Sequence, residues 1–341
     1  MKERNLSYDV MRVVACLMII AMHAPMPFSG ESSLFLNVLG YFTAPGLCLF
    51  FVLSGALLLP TKLDTFTFLR KRLSKVICPT LCFTLLYLVL RIIEGNSVDW
   101  LRSICSIPFS PQGHGVLWFM YTLIGLYLVS PILSLWLERA SKREVEFYLI
   151  LWGITLCYPI LEMVLSVNTK VEGILYYFTG YIGYFVLGFY LKRYPESLPI
   201  KSLLLPVIIA VGAPVFCKLF NVEVDFYRFF WYLSIFVAVF VVFLYRVLQH
   251  LCDKMSFSPV WRGGILLTSN LSFGIYLIHI AIMRNFLWKL GWIQSIPNYY
   301  IQWAVIVVLT FSLSWIVSYI LYNLPFGRYI IGNNKKLKKN D

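Results

Sequence analysis

YIQWAVIVVLTFSLSWIVSYILY, residues 300–322, runs for 23 residues without an Asp, Glu, Lys or Arg. As a helix rising about 1.5 Å per residue it reaches roughly 34 Å, enough to cross a hydrocarbon core of about 30 Å. The run is unbroken rather than alternating, which favours a spanning helix over a barrel strand. Working back along the chain, nine similar runs occupy 6–25, 35–59, 76–93, 117–137, 147–165, 175–191, 203–220, 229–248 and 265–286. The expected fold is an all-α membrane protein, a bundle of about ten transmembrane helices.

Composition supports this. Of 341 residues, 60% are hydrophobic, 17% aromatic and only 13% charged, with a mean hydropathy of +0.77. Soluble domains are about half apolar and a quarter charged. Ten spans of about 20 residues absorb nearly the whole apolar inventory, so a single polytopic membrane domain over 1–341 is expected, without internal repeat or second folded domain. The N-terminal stretch lacks a small-residue cleavage site and carries Asp9, Arg12 and His23, so it reads as a retained first helix rather than a signal peptide.

The net charge of +13 is explained by topology instead of nucleic acid. Lys and Arg divide 21 to 7 between alternating connections, with Arg12 inside the first helix. The richer set holds the N-terminus, the segment Arg70 to Lys75 and the basic tail of about 328–341. By the positive-inside rule both termini should be cytoplasmic, in an inner (cytoplasmic) cell membrane, with membrane lipids as the surrounding partner. The eight cysteines form no CxxC pair and fall mostly in apolar runs, which points to neither a disulfide framework nor a metal site.

Ionisable groups within a bilayer are costly, and the first helix holds three. Asp9 and Arg12 lie three apart, neighbours on one face that partly neutralise each other. Arg12 and His23 are eleven apart, about three turns, and share a face across roughly 16 Å of rise. An interfacial ion pair and a capping histidine are the plain alternative. The chain has four histidines; His23, His114 and His279 fall on the expected outer side and His250 on the cytoplasmic one. Histidine is the natural general base near neutral pH. Ser54 and Gly55 interrupt an apolar run; residues so small let helices approach closely or leave space for a substrate arm. Arg70, Lys71, Arg72 and Lys75 crowd into six residues, a topology signal that also suits a ligand with several phosphates.

Five blocks in order resemble the acyltransferase-3 family of integral membrane acyltransferases. They are DVMRVVACLMIIAMH from Asp9, with Arg12 and His23 separated by ten residues, LFFVLSG ending at Gly55, FLRKRLSKVICP with Arg70, Arg72 and Lys75, LWFMYTLIGLYLVSPIL with Trp118, and LSFGIYLIHIAI with His279. Lys75 departs from the pattern, which usually has a second arginine there.

The resemblance implies acyl transfer, most simply of acetyl, from cytoplasmic acetyl-CoA as donor substrate to a hydroxyl of a cell-envelope glycan or lipid-linked oligosaccharide. No permanently bound cofactor is implied. His23, Arg12 and Asp9 would be catalytic, with His23 as base or acyl carrier. Ser54, Gly55, Arg70, Arg72 and Lys75 would hold the donor, and His114, Trp118 and His279 would face the acceptor. The rival is a glycan or small-solute transporter using Asp9, Arg12 and His23 as a proton relay.

Overall fold

The computed structural model describes residues 4–25, 34–166 and 173–332; Lys2, Lys170 and the basic residues Lys335, Lys336, Lys338 and Lys339 of the tail lie outside them. The helices in chain order are α1 Leu6–His23, α2 Leu34–Thr43, α3 Pro45–Leu58, α4 Thr65–Ile93, α5 Trp100–Ser106, α6 Trp118–Arg139, α7 Lys142–Leu156 and α8 Tyr158–Leu165. There follow α9 Ile182–Arg193, α10 Ile200–Leu219, α11 Phe226–Phe229, α12 Ile235–Lys254, α13 Pro259–Ile280, α14 Gly291–Gln294, α15 Tyr299–Asn323 and α16 Gly327–Ile330. No strand occurs among the described residues.

The protein is a multi-pass membrane protein. Eight of its described helices are long and apolar enough to cross a bilayer, and the pair α7 and α8, bent by 51°, raises the number to nine when taken as one broken span. The expected sixth span differs. Its apolar run 175–191 contributes the 12-residue α9, only about 18 Å long. Every residue of α9 from Gly183 to Leu191 is buried, so its apolar character serves protein packing, not lipid contact.

Two compact units divide the chain: Met1–Thr61 with Ser130–Ile265, and Lys62–Val129 with Leu266–Asp341. In unit 1, α3 is the central helix, packed against α1, α9 and α12. Lipid tails are as apolar as leucine, so close backbone approach replaces hydrophobic exclusion as the force between helices. The glycines show it. A Cβ on Gly55 would lie 1.8 Å from the Phe185 carbonyl oxygen, and one on Gly188 1.9 Å from that of Val52. Around this seam Phe51, Val52, Tyr184 and Phe185 are fully buried, and the Tyr184 hydroxyl donates to the Tyr232 carbonyl at 2.6 Å.

In unit 2, α15 turns its polar side inward: Gln302, Thr310, Ser314 and Ser318 are buried while Ile301, Val308, Ile316 and Ile320 are exposed. This inversion is expected of a span that meets lipid on its outside. Pro79 within α4 cannot donate to the carbonyl of Lys75, four residues back. Gly332, with φ of +67°, packs there so closely that a Cβ would stand 2.5 Å from that oxygen. The hydroxyl of Tyr87 donates to the Leu277 carbonyl at 2.8 Å and that of Tyr276 to the Val116 carbonyl at 2.6 Å, fastening α4 and the turn that precedes α6 to α13 just before a π-helical stretch, Ala281–Phe286.

Candidate active site

Helix α1 begins with Asn5 as its cap, whose side chain accepts from the Ser7 N–H at 2.9 Å. One turn in, Asp9 is almost wholly buried. Its carboxylate is gripped by Arg4, which donates from Nε at 2.8 Å and from Nη2 at 2.5 Å. Arg12 reaches the same carboxylate only at 3.5 Å. The ion pair expected from the three-residue spacing therefore exists, but the two-pronged partner is Arg4, which precedes the helix and reads in the sequence only as a topology charge. Arg12 is one-third exposed on its side chain. His23 occupies the last turn of the same helix, half-buried.

Also in unit 1, Ser54 is half-buried in α3, and Gly55 meets the backbone of α9. Just beyond, Lys192 donates to the Ala56 carbonyl at 2.5 Å. An ammonium suits the C-terminal end of a helix, where carbonyls lack intrahelical partners.

In unit 2 the basic cluster of α4 splits by face. Arg70 and Lys71 are exposed, whereas Arg72 and Lys75, three apart, are half-buried. The Arg72 guanidinium lies 6.0 Å from the ring centre of buried Phe68, and its Nε is buried without a hydrogen-bond partner. Its other nitrogens keep the geometry to bind a phosphate.

Unit 2 also brings together two of the expected acceptor-side histidines. His114 lies with its ring centre 5.3 Å from that of Tyr87, and His279 sits 5.6 Å from Tyr276 by the same measure. His114 Nδ1 accepts from the Val116 N–H at 3.1 Å, so a neutral ring carries its proton on Nε2. The Arg284 guanidinium stands 3.4 Å from that Nε2. Burial, with the Arg284 charge adding to it and Glu94 opposing, lowers the His114 imidazole from 6.5 to about 4. His114 is thus built as a neutral cap for the turn Gly115–Leu117, with Trp118 opening α6 behind it. His279 has the opposite tautomer: its Nδ1 faces the Tyr276 carbonyl at 2.5 Å, which puts the lone pair on Nε2, the form a general base requires. Arg284 carries no signal in the sequence; 170 residues separate it from His114, and only folding brings the two side by side.

The model of the acyltransferase-3 family, described as an acyltransferase domain, matches residues 5–322. The chain belongs to that family. No curated protein and no solved structure matches it.

Proposed function

We propose that this multi-pass member of the acyltransferase-3 family moves an acetyl group from cytoplasmic acetyl-CoA to a hydroxyl of a cell-surface polysaccharide or lipid-linked sugar, in the inner cell membrane with both termini inside. The observation that carries the reading is α1. Within one family-matched span, the Asp9, Arg4 and Arg12 cluster stands at one end and the His23 imidazole at the other. The 21 to 7 division of Lys and Arg assigns the Arg12 end to the donor side and the His23 end to the acceptor side. In size and layout the chain also resembles the O-acetyltransferase that decorates enterobacterial common antigen.

A sugar hydroxyl is a weak nucleophile at neutral pH. His23 takes its proton as the oxygen attacks the thioester carbonyl carbon; the C–S bond then breaks and the coenzyme A thiolate leaves, to be protonated in turn. A relay through acyl-His23 would split the same transfer into two steps. The rise of roughly 16 Å between Arg12 and His23 is too long for both to touch one carbonyl. Arg12 is therefore assigned to the arm of the donor, with Asp9 and Arg4 fixing its surroundings. In unit 2, Arg72 and Lys75, with Arg70 nearby, are assigned to phosphates; in unit 1, Ser54 is assigned to the donor arm, whereas Gly55 serves the close approach of α3 to α9. His114 and Trp118 belong to the acceptor side, with His279 as the reserve base.

The test compares envelope glycans from cells with and without the protein by mass spectrometry. A mass shift of one acetyl group, lost with the protein, is expected. Unaltered glycans together with altered export of a sugar would support the transporter instead.

A further inference from the structure

A cleft of about 400 Å³ in unit 1, lined by residues of α8, α11 and the segments leading into α9 and α12, lies outside the groups used above. Its size falls within the range of small-molecule sites. Tyr158, Tyr227, Trp231 and Tyr232 supply aromatic walls, and Glu162 with Arg228 supplies a carboxylate and a guanidinium in direct contact. The Glu162 side chain is 14% exposed and that of Arg228 56%, so this ion pair forms one edge of the cleft, with the guanidinium at its exposed lip.

Three features define what fits. Aromatic faces with polar tips pack against a ligand that is apolar on its flat face and polar at its rim, as a pyranose is, with C–H bonds on its faces and hydroxyls at its edge. The Glu162 and Arg228 pair offers a hydrogen-bond acceptor and donors side by side, a match for neighbouring hydroxyls. Because the pair is neutral as a whole, it gives an acidic sugar or phosphate no advantage. The cleft is also tied to α1: the Tyr232 hydroxyl lies 3.5 Å from the Met22 sulfur, one residue before His23.

We propose that this cleft binds a neutral sugar residue of the acceptor glycan and so presents a hydroxyl near the His23 end of α1. The proposal rests on the acyl-transfer reading for its purpose, but its binding can be measured apart from any transfer. Tyr227 and Trp231 stack on the sugar, and Glu162 and Arg228 hold its hydroxyls; these are binding residues, while Tyr232 links the cleft to α1.

The test uses the full chain in lipid nanodiscs and saturation-transfer NMR with methyl β-glucoside and N-acetylglucosamine as neutral probes, and with glucuronate and glycerophosphocholine as acidic-sugar and lipid-headgroup probes. The neutral sugars should give a signal that falls at least tenfold in Tyr227→Ala/Trp231→Ala, survives in Tyr227→Phe/Trp231→Phe, and survives in His23→Ala. In cells the Ala pair should lose glycan acetylation while acetyl-CoA binding to the purified chain is unchanged, which excludes simple misfolding. No signal from neutral sugars, a signal the Ala pair leaves intact, or stronger signals from glucuronate or glycerophosphocholine would overturn the proposal. Sugar binding that follows the prediction in cells whose glycans carry no acetyl would leave the cleft assigned and refute the acyl-transfer function instead.

Discussion

Arg4 donates two hydrogen bonds, of 2.8 and 2.5 Å, to the Asp9 carboxylate, while Arg12 stands 3.5 Å from it. The carboxylate is buried and Arg4 is half-exposed. Replacing Arg4 with Gln removes two charged hydrogen bonds to a buried carboxylate, at a cost of about 1.5–3 kcal/mol. Arg12→Gln should cost less stability but more donor binding. Comparative thermal unfolding in detergent, with Arg4→Gln/Asp9→Asn recovering most of the loss, checks the assignment; equal destabilisation by the two arginine variants would count against it.

His114 supplies a pH dependence. Its folded imidazole is lowered to about 4 from 6.5, so between these values the unfolded chain binds more protons than the folded one. The stability associated with a neutral His114 is complete above pH 6.5 and is lost as pH falls toward 4. Asn at this position keeps an acceptor for the Val116 N–H without titrating. Unfolding measured across pH 4 to 7 should be less steep for His114→Asn than for the natural chain, and identical slopes would refute the neutral cap.

On α4, the half-buried face and the exposed face should separate in donor binding. Arg72→Gln is expected to weaken acetyl-CoA binding about tenfold, and Arg70→Gln severalfold less, both with reduced salt dependence, since exposed charges are screened more strongly. Titration calorimetry at low and high salt measures this. Equal, small effects would return the cluster to a role in topology alone.

Much of this architecture is legible in the residues, for definite reasons. A span such as 300–322 is recognisable because lipid demands an unbroken apolar run. Asp9, Arg12 and His23 stand out because charge is rare in such runs. The run 175–191 misleads, since apolar content does not distinguish a helix buried in protein from one facing lipid, and Gly183 and Gly188 acquire meaning only against Trp152 and Val52. Arg4 escapes notice because its bond to Asp9 crosses the helix start, where helical spacing rules do not apply. Arg284 beside His114, and Tyr227 and Trp231 beside Tyr158, join residues far apart in the chain, and aromatic side chains are too common at membrane interfaces to mark a cleft by themselves.

The proposed role of His23 in acyl transfer to an envelope sugar is tested by the acetyl content of the glycans, by mass spectrometry, in cells making the natural chain or His23→Ala at equal membrane levels. The natural chain should add one acetyl mass to the acceptor unit, and His23→Ala should lower the rate by about 10²- to 10⁴-fold, the worth of a general base. Full acetylation by His23→Ala would contradict that role.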